Sequence, residues 1–219
     1  MEYRIEGNPD YGQLTVDLAP GDTFIAEGGA MAWMSDGTEV KGRLLGGFLR
    51  AAVRRLVANE SLFVGEYQHP SGGSVTLSPT VPGAVLQRSL HGDSLILTGG
   101  SFMASTPGVE LKTRFAGLRG LFSGEGGFFI ECSGQGEVFY NSFGAVLEKE
   151  INGTFLVDTG YVVAWEPGLS YSITGMGNLK STVLSGEGLV MRFSGTGKLY
   201  LQTRTMTDVA GWLTPIGRG

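Results

Sequence analysis

Apolar and polar residues alternate along most of this chain. In Gln13-Leu14-Thr15-Val16-Asp17-Leu18 the apolar side chains fall on one face. Glu137-Val138-Phe139-Tyr140 and Lys198-Leu199-Tyr200-Leu201-Gln202 are dominated by β-branched and aromatic residues. A period of two with that composition predicts half-buried β-strands. Short turn-forming clusters interrupt the runs: Pro20-Gly21-Asp22, Ser71-Gly72-Gly73-Ser74, His91-Gly92-Asp93, Ser133-Gly134-Gln135-Gly136, Asn152-Gly153 and Ser194-Gly195-Thr196-Gly197. Each joins two strand-like runs, so hairpins are expected there.

The pattern also repeats over a longer period. VANESLFV at 57–64, FSGEGGFF at 122–129 and LSGEGLVM at 184–191 place Glu60, Glu125 and Glu187 in matching positions. A second element recurs between them, at 14–34, 86–105 and 147–166. Two elements recurring in one order at one period imply a triplicated unit. The expected fold is all-β: three hairpin or roll units, 1–80, 81–144 and 145–205, sharing one domain with pseudo-threefold symmetry, and then a tail, 206–219. Hairpins are expected over 57–79, 122–142 and 184–203. Phe24, Leu95 and Phe155 each follow a turn at the start of an apolar run and are expected to be equivalent and buried. Trp33 and Trp165 also align, closing the end of a core or flooring a ligand site.

One stretch departs from period two. In residues 44–58, Leu45, Phe48, Leu49, Ala52 and Leu56 recur at helical spacing, with Arg43, Arg50 and Arg54 opposite and Arg55 on the flank. This predicts an amphipathic helix inserted into the first unit.

The order GDTFIAEGGAMAWM, KGRLLGGFLRAAVRRL, NESLFVGEY, with the later SGEGGFF and SGEGLVM, resembles a bacterial family of unassigned biochemical function. That family is related to a fungal mitochondrial biogenesis protein, whose family is named for altered inheritance of mitochondria. The likeness runs from about Tyr3 to Thr205. It implies a fold similar to the tryptophan-binding RNA attenuation protein, its unit multiplied within one chain. It implies no catalytic residues.

Composition narrows the chemistry. With 42% hydrophobic and 17% charged residues, the 219-residue chain is globular rather than disordered. Its single cysteine, Cys132, excludes an internal disulfide framework. No apolar run reaches the ~18 residues of a membrane span, and the expected location is cytoplasmic, with peripheral membrane association. The two histidines, His69 and His91, both lie in turn sequences and form no metal-binding cluster. Cys132 has no sequence-local histidine, no G-x-S-x-G elbow occurs, and the glycine-rich runs lack a Walker lysine. Glu60, Glu125 and Glu187 either ring an axis as hard-cation ligands or cap turns, and capping needs no ligand. No catalytic, cofactor-binding or metal residue is assigned, and the protein is expected not to be an enzyme.

Charge carries the strongest functional signal. Segments 41–58, 112–124 and 175–186 hold nine of the 16 basic residues and none of the 21 acidic ones. The rest of the chain sets seven basic residues against 21 acidic ones, a net −14. A basic, apolar-rich zone on an acidic body suits an anionic partner. The candidate surface is Arg43, Leu45, Phe48, Leu49, Arg50, Arg54, Arg55, Lys112, Arg114 and Arg119. The leading expectation is a self-associating binding or scaffold protein that meets an anionic membrane face or a protein partner. The alternative is RNA or small-ligand binding, by analogy with the attenuation-protein fold; the net charge of −5 argues against broad nucleic-acid affinity.

Overall fold

The computed structural model describes residues 1–45, 63–115, 128–175 and 189–213. Its strands are β1 (Glu2–Glu6), β2 (Gln13–Leu18), β3 (Thr23–Glu27), β4 (Met31–Met34), β5 (Glu39–Leu44), β6 (Phe63–Gln68), β7 (Gly73–Leu77), β8 (Val85–Thr98), β9 (Phe102–Ser105), β10 (Val109–Phe115), β11 (Phe128–Asn141), β12 (Val146–Asp158), β13 (Val162–Trp165), β14 (Leu169–Gly175) and β15 (Leu189–Gln202). One short helix, α1 (Met206–Leu213), follows them. The fold is therefore all-β over nearly all the described chain. β2 shows why the alternation predicted strands: Leu14, Val16 and Leu18 are buried, and Gln13, Thr15 and Asp17 are not.

The strands form a four-stranded sheet, β1-β2-β7-β4, and a large sheet ordered β12-β15-β13-β8-β11-β9-β3-β6-β5. In the large sheet β10 also pairs with β11, and β14 with β15. One wiring recurs. β11 pairs with β8 on one edge and with β10 and then β9 on the other. β15 pairs with β12 on one edge and with β14 and then β13 on the other. Nearer the N-terminus the same work is divided: β6 pairs with β3 and β5, and β7 with β2 and β4.

The hairpin tips expected within 57–79, 122–142 and 184–203 are not tips. Residues 128–141 are one strand, as are 189–202, and β6 does not pair with β7. Glycine marks bulges and bends as well as turns. β11 has a register shift between Ser133 and Gln135, with Gly134 at φ +111°. There the turn between β9 and β10 presses so close that a Cβ on Gly134 would lie 2.6 Å from the Gly108 carbonyl oxygen. His91-Gly92-Asp93 and Asn152-Gly153 likewise lie inside continuous strands.

The buried side chains form three clusters. One packs β2 and β7 against β3, β9 and β11 through Leu14, Val16, Phe24, Leu77, Met103 and Phe139. A central one includes Leu95, Leu97, Phe102, Ile130, Cys132 and Val163. The third gathers around Trp165, whose ring meets Phe129, Tyr171 and Phe193 edge-on at centroid distances of 4.9, 5.4 and 5.5 Å. Phe24 and Leu95 are buried as expected, but Phe155 is only half-buried, on a strand, β12, that among the described residues has a neighbour on one edge only.

The predicted helix over 44–58 falls mostly outside the described residues. Of its first two positions, Leu44 ends β5 and Leu45 is a buried residue of the central cluster. The expected tail contains α1, which begins at a side-chain cap. The Asp208 backbone N–H donates to Thr205 Oγ1 (3.1 Å), and the Thr205 hydroxyl donates to the Asp208 carboxylate (2.7 Å). That reciprocal cap is legible in Thr205-x-x-Asp208.

Phe24→Ala is expected to cost about 3–5 kcal/mol of stability in urea unfolding. Phe155→Ala, at a half-buried site, should cost clearly less. Gly134→Ala should also destabilise, since the added methyl meets backbone and the positive φ disfavours a side chain.

Candidate interaction surface

Three connectors leave the sheet at hairpins of one kind: β5 to β6, β10 to β11, and β14 to β15. The last paired positions before each are Leu44 with Phe63, Phe115 with Phe128, and Gly175 with Leu189. The basic segments found in the sequence are these connectors and the strand ends that carry them.

Two strand-borne arginines are paired with acids on the neighbouring strand. Arg43 on β5 donates to Glu66 on β6 at 2.9 Å. Arg114 on β10 meets Glu131 on β11 through two nitrogens, at 2.6 and 2.7 Å. Lys112 pairs with Glu110 at 3.0 Å and stands opposite Glu131. In register Arg43 and Arg114 are the same position, each one strand across from a glutamate two residues further along. On β14 and β15 the corresponding positions are Thr174 and Arg192, so the cation has moved to the other strand. Exposed pairs of this kind contribute about 0–1 kcal/mol each. They offset the positive charge of the strand ends, which the count along the chain did not foresee.

The other candidates separate cleanly. Leu45 is in the core, a correction to its place on an exposed apolar face. Phe48, Leu49, Arg50, Arg54, Arg55 and Arg119 lie outside the described residues, as do Glu60, Glu125 and Glu187.

Beside the first connector, Glu27 ends β3 opposite Val64. The next backbone N–H, of Gly28, donates to the Phe63 carbonyl at 2.8 Å. Burial pushes the Glu27 carboxyl up to about 7.

His69 and Cys132 are both buried. His69 accepts from the Ser71 N–H at Nδ1 (3.2 Å), with Nε2 2.9 Å from the Asp36 carbonyl. Cys132 is fully buried, and burial, with a smaller contribution from Glu131, pushes its thiol up. Among the described residues no group of three or more His, Cys, Asp or Glu side chains is placed to hold a metal ion. No described helix is long and apolar enough to cross a membrane.

The tryptophan match needs correcting. Met34 opposes Val75 and Trp165 opposes Leu199, whereas Trp33 opposes Thr76. Trp33 is thus one position out of step with Trp165. A slip of one residue turns a strand side chain to the opposite face; Trp165 is buried, and Trp33 is exposed along with all of β4. Trp33 and its exposed neighbours Met31 and Met34 form one apolar surface that the candidate residues omitted.

These features define a class: an all-β protein of long, bent antiparallel strands carrying connectors on matching hairpins. The chain belongs to the mitochondrial biogenesis AIM24 family, which matches residues 3–204. It is 28% identical over 222 residues to an uncharacterized protein of Streptococcus pyogenes serotype M6, across 97% of this chain and 90% of that one. Its fold is similar to the crystal structure of a Streptococcus pyogenes protein, with a TM-score of 0.81 and 25% identity over 98% of this chain and 99% of the other.

The raised Glu27 value sets a pH dependence. Folding is favoured most by this group below the unfolded carboxylate value, and that contribution is lost as pH rises through about 7. Glu27→Gln should therefore be more stable than the parent protein at alkaline pH, by on the order of 1–3 kcal/mol. The advantage should vanish in acid. Thermal melts across that range, with equal differences at both ends, would contradict it.

Proposed function

We propose that this is a non-enzymatic binding or scaffold protein in which one β unit is repeated three times and presents its connectors to an anionic surface. The observation that carries the reading is the common origin of the connectors: all three spring from the same hairpin of the recurring wiring. They concentrate basic residues on an otherwise acidic chain. Three further details support the repeat. The bulges at Met31/Trp33, Phe102/Ala104 and Val162/Ala164 occupy one register. The residue after each of these strands, Ser35, Thr106 and Glu166, accepts through its side chain from the backbone N–H of Ser74, Glu137 and Lys198 respectively. Each also donates its own N–H to the carbonyl of that same partner.

Because Arg43 and Arg114 are already paired, the reading assigns the attraction to the other basic residues of the connectors, Arg50, Arg54, Arg55, Arg119 and Lys180. An acidic-lipid face is the partner we favour, since clustered cations beside apolar residues attract such membranes. The same charge on an RNA-binding surface would give salt-dependent retention of RNA instead.

Flotation with anionic and neutral vesicles tests the reading. The protein should float with anionic vesicles at low salt and dissociate as salt rises. Arg50→Glu, Arg54→Glu and Arg55→Glu together should abolish flotation and leave the melting temperature nearly unchanged. Absence of flotation by the parent protein at low salt would remove the membrane surface from the proposal.

A further inference from the structure

Among the described residues, two strand edges lack the neighbour that their counterparts have. β9 lies between β11 and β3, with Ser105 opposite Ile25 and Ala104 opposite Ala26. β13 lies between β15 and β8, with Trp165 opposite Ile96 and Ala164 opposite Leu97. Both joints are antiparallel, and both use the same register positions. The strand in the corresponding place near the N-terminus, β4, pairs with β7 alone. At the other end of the large sheet, β12 pairs with β15 alone.

Exposure follows this difference. Ser105 and Trp165 are both 0% exposed, and Ile25 and Ile96 are 5% and 6%. Their counterparts at the open ends are Met34 at 38% and Leu156 at 47%, with Trp33 at 56%. Met31–Met34 contains no charge, and on β12 the charges at Glu148, Lys149, Glu150 and Asp158 flank an uncharged stretch, 151–157. A bare apolar edge invites a further strand.

We propose that these edges bind each other between copies: β4 of one copy docks antiparallel on β12 of the next, with Met34 opposite Leu156 and Trp33 opposite Val157. The occupant is a second copy because the chain carries one surface of each half of the joint it already makes twice. The contact is head-to-tail, so each copy keeps a free end until the assembly closes into a ring. The inference rests on the repeat reading above and supplies the partner that a self-associating scaffold needs.

Native mass of the full chain is the first test, and a species larger than the 23.2 kDa protomer is expected. Trp33→Lys and Leu156→Lys, both at exposed positions, should each lower the mass to a protomer or short oligomer with an unchanged β-sheet circular dichroism spectrum. Mixed in equal amounts, the two variants should form a heterodimer, because each retains the edge the other has lost. A disulfide between Met34→Cys on one copy and Leu156→Cys on another should form readily, since directly opposed strand residues lie within disulfide reach. A monomeric parent protein, or an oligomer that both lysine variants leave intact, would overturn the proposal. Vesicle flotation separates the two readings. A monomer that still floats defeats only the edge contact, and an oligomer that ignores vesicles defeats only the anionic surface.

Discussion

Everything in this fold depends on a strand changing partners without breaking. β11 and β15 are each 14 residues long, and each exchanges one neighbour for another halfway along one edge. The exchange needs the turn between the two neighbours to lie almost against the backbone of the long strand. The Gln135 N–H donates to the Gly108 carbonyl at 3.1 Å, and the Thr106 N–H to the Glu137 carbonyl at 3.0 Å, so the crossing leaves its backbone groups bonded. Only glycine fits at the closest points. A Cβ on Gly108 would lie 2.1 Å from the Gln135 carbonyl oxygen, and one on Gly168 would lie 2.3 Å from that of Thr196. The continuous strand then couples one core cluster to the next. Phe139 near one end of β11 belongs to the first cluster, Ile130 and Cys132 to the central one, and Phe129 to the third.

That constraint also explains which parts of the fold were legible in the sequence. Alternation in Leu14, Val16 and Leu18 reported strand and inward face correctly, because a half-buried strand leaves no other pattern. The recurring glycines were visible but ambiguous. Gly134 and Gly195 adopt positive φ inside strands, where the same residue type would also make a turn. Local sequence cannot separate the two, since the difference lies in whether a distant turn packs against the bend. The tryptophans were misaligned for a related reason. A bulge adds a residue without any compositional mark, and beyond it the face is set by pairing partners that the sequence does not display.

The candidate surface was legible as a segment and illegible as an electrostatic object. Counting charges along the chain found the connectors, each of which joins two antiparallel strands. It could not find Glu66 and Glu131, which are distant in sequence and adjacent in space to Arg43 and Arg114. The open edges at β4 and β12 were missed because a missing neighbour has no residue to announce it. The signal available was indirect: Trp33 is bulky where Ala104 and Ala164 are small.

Cys132 gives the molecule an internal clock. It is the chain's only cysteine, sits at zero exposure in the central cluster, and has its thiolate disfavoured by burial. An alkylating reagent can therefore react with the native protein only through excursions that part β11 from its packing. When reclosing outpaces reaction, the labelling rate measures the free energy of that opening, and when it does not, it measures the opening rate itself. Without any added probe, the chain reports how often its centre comes apart.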